Sequence, residues 1–351
     1  MAERRIRVVA ATPISDELVQ RVVQREPRVD FVVEQDLLPP ARHGGDHRGD
    51  PDWTRSQQDE QRFRRLVDSA EVLYGLPEED PKALQRTVAA NPGLRWVQTM
   101  PAGGGAQVKA AGLTEEQLQR VVFTTSAGAH EVPLSEFSIF GLLAGFKTLP
   151  KLEAYRARRV GAVPRWEMGL LSGSKVLIVG LGHIGRATAV RLDALGVHVA
   201  GTSRRDVTEP GVGEVIHPDD LAARVGEFDG IVVTLPGTAQ TEGLVSAEVL
   251  AAVKPGAVIV SVGRGTVIDE EALIEGLRDG RIGFAALDVV AHEPLASDSP
   301  LWTLPNVLLT PHTAALNFQE DRRIADLFAE NATRFLDGRE LLNRVNTVEF
   351  Y

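Results

Sequence analysis

The apolar run Val176-Leu177-Ile178-Val179 leads directly into Gly180-Leu181-Gly182-His183-Ile184-Gly185, and Arg186 to Leu195 then follow a helical pattern. A G-x-G-x-x-G between a buried strand and a helix constrains a chain strongly, because each glycine has a mechanical task. The first permits a tight turn, the second lets backbone amides approach a pyrophosphate, and the third lets helix and strand pack closely. The helix N-terminus adds partial positive charge. A parallel α/β domain holding a dinucleotide is implied, with Gly180, Gly182, His183, Ile184 and Gly185 at the cofactor.

The next strand reads Val197-His198-Val199-Ala200-Gly201 and is followed by Thr202-Ser203-Arg204-Arg205. An acidic residue is usual here for a ribose 2′-hydroxyl, whereas two guanidiniums and a hydroxyl suit a 2′-phosphate. Ser203, Arg204 and Arg205 therefore favour NADP(H) over NAD(H), with Asp206 close enough to compete for the arginines.

At 351 residues the chain suggests two domains, and 43% hydrophobic with 25% charged residues describes a globular protein. A formal net charge of -10 leaves no basic stripe for nucleic acid or a membrane surface. With no cysteine there is no disulfide framework, thiol nucleophile or cysteine zinc site. Met1-Ala2-Glu3-Arg4-Arg5 enters a strand-like run without a secretory leader, and no apolar run spans a bilayer, so a cytoplasmic protein is expected.

Before the glycine motif, β-rich runs at 6–11, 29–33, 72–75 and 95–99 alternate with helical patterns at 14–25, 60–69 and 81–90. After it, strands are expected at 231–234, 257–262, 284–287 and 307–309, giving a second sheet of about six strands. The fold class is α/β, with strands and helices alternating into doubly wound parallel sheets. Residues 38–58 lack any period and read as a long, mobile surface insertion, in which Gly44-Gly45 denies His43, Asp46 and His47 a rigid metal-binding face. The segment Pro133 to Lys151 reads as one helix that is apolar around most of its circumference and needs cover on several sides, from a dimer partner or another domain. A last helix, Gln319 to Leu336, is expected to return to the first domain.

Three charged groups follow strands of the second series: Arg264 after Ser261-Val262-Gly263, Glu293 after Leu287-Asp288-Val289-Val290-Ala291-His292, and His312 after Leu309-Thr310-Pro311. Ligands bind outside the carboxyl ends of such strands, so these groups can share one crevice. A permanently charged, forked Arg264 suits a substrate carboxylate and polarises a neighbouring carbonyl. His312 exchanges a proton near neutral pH, and Glu293 can orient its ring and favour the protonated form. No metal is expected.

Taken together, Leu171 to Gly182, Val262 to Asp269, Ala286 to Val289 with Glu293-Pro294-Leu295, and Leu309-Thr310-Pro311-His312 resemble the D-isomer-specific 2-hydroxyacid dehydrogenases, from about Ala70 to Phe335. The resemblance implies a catalytic trio of Arg264, Glu293 and His312, nicotinamide contacts from Val262 and Asp288, and a cofactor wall from Leu235, Pro236 and Thr241. It also implies a homodimer and a Rossmann nucleotide-binding domain (126–314) inserted in a discontinuous flavodoxin-like substrate domain (1–125 with 315–351). Ser203-Arg204, where many members carry Asp-Pro, is similar to the NADP-preferring glyoxylate/hydroxypyruvate reductase branch. The loop Thr99 to Gly105 aligns with the family's substrate-carboxylate loop. Gly104 and Gly105 replace its usual Val and Asp; amides of Gly103 and Gly104 remain as donors, with less preorganisation and a wider pocket.

The expected activity is reduction of a small 2-oxoacid to a D-2-hydroxyacid, reversible as a dehydrogenase. Glu293 stands where the formate-oxidising branch has Gln. A phosphoglycerate dehydrogenase is the alternative within the family, with no regulatory domain expected after the core. A corepressor-type dinucleotide sensor, which binds without turnover, is the alternative outside it.

Overall fold

The computed structural model describes residues 5–159 and 165–350; Met1 to Arg4, read above as lacking a leader, lie outside the described residues. The chain divides into two compact units, Met1–His130 with Leu316–Tyr351, and Glu131–Ala315.

In the first unit β1 (Ile6–Ala10), β2 (Val29–Val32), β3 (Val72–Tyr74), β4 (Trp96–Gln98) and β5 (Val122–Thr124) form a parallel sheet in the order β2-β1-β3-β4-β5. This is the flavodoxin-like order. β5 is an addition to the four strands expected, and at three residues it is too short to show a period. The C-terminal helix Glu320–Leu336 packs on this sheet, as expected. Its Phe328 stacks on Trp96 at 4.8 Å and meets Tyr74 edge-on at 5.1 Å, and its Asp326 accepts from Arg21 Nη2 at 2.9 Å. Full burial of each such aromatic is worth roughly 1.5–3 kcal/mol, enough to hold the chain's last helix on its first strands.

The insertion carries no helix or strand between 38 and 56, but it is tethered rather than loosely solvated. Asp46 is buried in an ion pair with Arg42 (2.7 Å) and accepts the Gly49 amide, and Gly45 donates its amide to Asp321. His47 is turned inward, its Nε2 3.7 Å from Glu320 Oε1, the oxygen that also meets His130 Nε2 at 2.9 Å. His43, Asp46 and His47 thus face different partners. Burial alone would push the Glu320 carboxyl up, but the hydrogen bond from His130 and the nearby His47 ring outweigh it and hold the group at about 2.

The second unit holds seven parallel strands, β6 (Lys175–Val179), β7 (His198–Thr202), β8 (Glu214–Ile216), β9 (Gly230–Val233), β10 (Ala257–Ser261), β11 (Ile282–Leu287) and β12 (Val307–Leu309), in the order β12-β11-β10-β9-β6-β7-β8. Counted from β6, this is the doubly wound 3-2-1-4-5-6 order with a seventh strand added. The unforeseen strand is β8, again a three-residue edge.

The expected helix from Pro133 to Lys151 is two helices, Glu131–Phe146 and Leu149–Arg158, bent by 64° at a break where Thr148 takes φ +53° and Pro150 opens the second. Gly141 and Gly145 let the first lie close on the sheet: a Cβ would meet Ala286 at 2.7 Å and Val258 at 2.5 Å. Its other side leaves Phe140 and Leu143 exposed. Among the described residues no single helix is long and apolar enough to cross a membrane.

Candidate active site

Ladder register decides which loops share an edge. Val179 pairs with Val233, Val233 with Ser261, Ser261 with Leu287, and Leu287 with Leu309. The loops beginning at Gly180, Thr234, Val262, Asp288 and Thr310 therefore leave one edge side by side, at strand spacings of about 4.8 Å. This brings the cofactor motif and the three charged candidates to the same end of the unit.

The three motif glycines differ as their tasks require. Gly180 takes φ +107°, and its amide is held by Thr202 Oγ1 (3.0 Å) while its carbonyl accepts from Thr234 Oγ1 (2.7 Å). A Cβ on Gly185 would lie 2.0 Å from the Gly180 carbonyl oxygen, so helix and strand touch backbone to backbone there. A Cβ on Gly182 would meet nothing within 4 Å, and the helix His183–Ala194 that Gly182 caps has no side-chain cap and no acidic residue in its first turn. Its first amides are open to an anion from outside, which fits a dinucleotide pyrophosphate. His183 is exposed, 3.7 Å from Glu131, and Ile184 is partly buried.

Beyond β7, Thr202 is buried and holds the glycine turn, so the hydroxyl left at the surface is that of Ser203, which accepts the Arg205 amide at 3.1 Å. Arg204 and Arg205 are exposed, and among the described residues neither makes an ion pair, with Asp206 or any other carboxylate. After β9, Thr241 ties its loop by donating to the Pro236 carbonyl at 2.6 Å and accepting the Thr238 amide. Leu235 backs the glycine turn: a Cβ on Gly180 would meet it at 2.6 Å and one on Gly263 would meet its carbonyl at 2.3 Å.

Val262 is buried at the end of β10. Arg264 is exposed between Gly263 and Gly265, whose Cβ atoms would collide with Leu235 and Val290 backbone. Backbone clamped on both sides fixes where the guanidinium starts, and its Nη1 donates to the Gly263 carbonyl at 2.8 Å rather than to Glu293 or His312. Those two are bonded to each other, His312 Nδ1 lying 2.8 Å from Glu293 Oε2, with both side chains about two-fifths exposed. Carboxylate on Nδ1 leaves Nε2 as the ring atom for proton exchange. His312 sits at φ +53°, an uncommon conformation for a side chain of its size.

Asp288 holds His312 in that conformation. Buried at the end of β11, its Oδ1 accepts from Thr310 Oγ1 (2.8 Å), the Thr313 amide (2.9 Å) and the Ala314 amide (3.0 Å), while its carbonyl accepts the His312 amide (3.0 Å). One carboxylate thus clamps the whole histidine turn. Sequence reasoning missed this role, and missed Thr234, Thr310 and Glu270, which accepts the Ala291 amide at 2.8 Å. Of these only Thr310, two residues before the histidine, was within reach of a motif.

Gly103 and Gly104 belong to the first unit. Their loop is an ordered turn: the Gly104 amide already donates to the Pro101 carbonyl at 3.2 Å, and neither residue takes a positive φ. Gly104 is glycine for want of space, since a Cβ would lie 1.7 Å from Thr99 Oγ1. Of the two expected donors, the Gly104 amide is engaged within the turn.

Residues 141–314 match the model of the D-isomer specific 2-hydroxyacid dehydrogenase NAD-binding domain. The chain belongs to the D-isomer-specific 2-hydroxyacid dehydrogenase family. It is 31% identical over 295 residues to D-3-phosphoglycerate dehydrogenase of Mycobacterium leprae, covering 80% of this chain and 53% of that one. It is 38% identical over 170 residues to glyoxylate/hydroxypyruvate reductase B of Pectobacterium atrosepticum, covering 48% and 53%. The chain spans about half the length of these curated relatives. Among solved structures it resembles a D-isomer specific 2-hydroxyacid dehydrogenase from Xanthobacter autotrophicus Py2 in complex with NADPH and MES, at TM-score 0.76 and 29% identity, over 99% of this chain and all of that one.

Proposed function

We propose that this family member is an NADP(H)-preferring reductase of small 2-oxoacids, reversible as a D-2-hydroxyacid dehydrogenase. The observation that carries this reading is the His312–Glu293 pair at 2.8 Å, on the sheet edge that also carries the glycine turn. A bound nicotinamide supplies or takes the hydride. Around that transfer, Nε2 of His312 gives a proton to the carbonyl oxygen during reduction and takes it back in the reverse direction, while Glu293 stabilises the charged ring. Arg264, swung away from the Gly263 carbonyl, binds the substrate carboxylate and polarises the oxygen beside it. In the first unit, Gly103 offers a backbone amide suited to a carboxylate, and Gly104 contributes packing space.

Ser203, Arg204 and Arg205 serve as the 2′-phosphate site; two exposed guanidiniums without a carboxylate partner support this, as does the Xanthobacter relative solved with NADPH. His183, Ile184, Leu235, Pro236 and Thr241 line the dinucleotide, and Val262 and Asp288 contact the nicotinamide amide. Exposed Phe140 and Leu143 support a homodimer through the helix Glu131–Phe146. A cytoplasmic setting is part of the same reading.

Following NADPH and NADH absorbance against glyoxylate, hydroxypyruvate, pyruvate, phenylpyruvate, branched 2-oxoacids and, in reverse, 3-phosphoglycerate tests the proposal. Turnover of an unphosphorylated 2-oxoacid with NADPH is expected. Oxidation of 3-phosphoglycerate alone would favour the activity named in the mycobacterial relative, and cofactor binding without turnover would favour the sensor. Arg204→Glu with Arg205→Ser is expected to raise the Kd for NADPH by about a hundredfold with little change for NADH.

A further inference from the structure

The insertion that the proposed reaction does not use walls a cavity of about 550 Å³ lying wholly within the first unit, at the carboxyl ends of β1, β2 and β3. Most of its lining is apolar, from Ile14 and Leu18 on one side to Pro39, Pro40 and Trp53 of the insertion on the other. Its charged lining is of one sign. Among the described residues, three aspartates and no lysine, arginine or histidine face it. Asp46 is neutralised by Arg42 and Asp36 by Arg62 (3.1 Å). Asp321 is not: it accepts only the Gly45 amide, at 3.1 and 3.2 Å, and among the described residues has no cationic partner.

Tyr74 is the second, independent observation. It is 1% exposed and lines the cavity, and its phenol has no hydrogen-bond partner among the described residues. Its oxygen is not one of the fully enclosed partnerless atoms, so the phenol tip opens to accessible space where a donor can reach it. Burial, and then the nearby Asp321 charge, push its ionisation up, so the group stays neutral and able to accept from a cation.

We infer that this cavity binds an organic ammonium group on a short apolar stem, with Asp321 as counter-ion, Tyr74 as a further acceptor, and the insertion as the wall that encloses the stem. A carboxylate or phosphate would meet only like charge, and a neutral alcohol would leave Asp321 without a cation. The size is within the range of ordinary small-molecule sites. None of its lining residues is among those assigned to reduction, so the inference stands whether or not the reductase reading does.

Calorimetry on the full chain with pentylamine and benzylamine, against pentanol, benzyl alcohol, pentanoate and benzoate, tests it. The amines are expected to bind about tenfold more tightly than the alcohols, and the acids not at all. Asp321→Asn, which keeps the shape and can still accept the Gly45 amide, is expected to bring the amines down to the alcohols, and Tyr74→Phe to weaken them about threefold. Ala41→Trp, built at an exposed position of the lining, is expected to abolish binding of both; it serves also if Asp321→Asn fails to fold. Equal affinity for amine and alcohol, no binding of any amine, an unchanged amine affinity in Asp321→Asn, or full binding in Ala41→Trp would each overturn the inference.

Discussion

At the carboxyl edge of the second unit, Asp288 Oδ1 takes three donors, Glu293 holds His312, and Thr202 and Thr234 brace the glycine turn. In the first unit the same edge collects Thr12, Glu79, Gln98, Gln107, His47 and Glu320, which carry seven of the eight enclosed side-chain polar atoms without a partner among the described residues. The difference lies in how each edge is assembled. Glu293 and His312 are 19 residues apart on consecutive loops, whereas His130 and Glu320 are 190 apart and His47 arrives on an insertion. Loops of successive strands can satisfy one another locally, while groups gathered from distant segments are buried first and paired only as well as the packing allows.

If the second edge is a prepared catalytic frame, a single atom-scale change should break function and leave the fold standing. His312→Asn keeps a residue that tolerates positive φ and removes the proton exchange; kcat for 2-oxoacid reduction should fall by about a hundredfold or more with the Kd for NADPH unchanged. A fall confined to NADPH affinity would show that His312 serves binding instead.

The glycine turn sharpens the same point. Gly185→Ala forces a Cβ against the Gly180 carbonyl and should lower stability by about 2 kcal/mol in urea titration, with cofactor affinity falling alongside. Gly182→Ala meets nothing within 4 Å among the described residues and should stay within about 0.5 kcal/mol of the parent. Its NADPH affinity should nonetheless drop by roughly tenfold, because the methyl enters the space an anion would use. Equal effects of the two would contradict the division of labour.

The first edge should respond through stability and pH. Glu320 is held at about 2 in the folded chain against an ordinary 4.5, so the native state binds fewer protons than the unfolded one; its contribution is complete above about 4.5 and is lost as pH falls toward 2. Glu320→Gln should therefore flatten the acid limb of the unfolding midpoint across that window and cost about 1–3 kcal/mol at pH 7. Glu79 has the opposite sign. Burial raises its carboxyl, against the Gln107 hydrogen bond, so the folded chain binds the extra proton and stability declines as pH rises through the carboxylate range. Glu79→Gln should gain up to about 1 kcal/mol at pH 8 and nearly nothing at pH 4. A uniform change at both pH values would mean that the effect is packing alone.

How much of this was legible beforehand follows the same division. Val176 to Gly185 revealed strand, turn and helix because each glycine answers a local demand, and Arg264, Glu293 and His312 stood out because charges after apolar strands are rarely needed for folding. The strands β5 and β8 escaped because three residues are too few to show a period, and the break at Thr148 escaped because the apolar pattern continues through it. The insertion escaped because its anchors, Asp321 and Glu320, lie more than 270 residues along the chain. Local sequence therefore determined the doubly wound class and the nucleotide turn and singled out the groups proposed to react, since these depend on neighbours along the backbone. Tertiary structure alone decided the His312 conformation through Asp288 and the cavity behind the insertion, since each is made by contacts whose partners no spacing along the chain reveals.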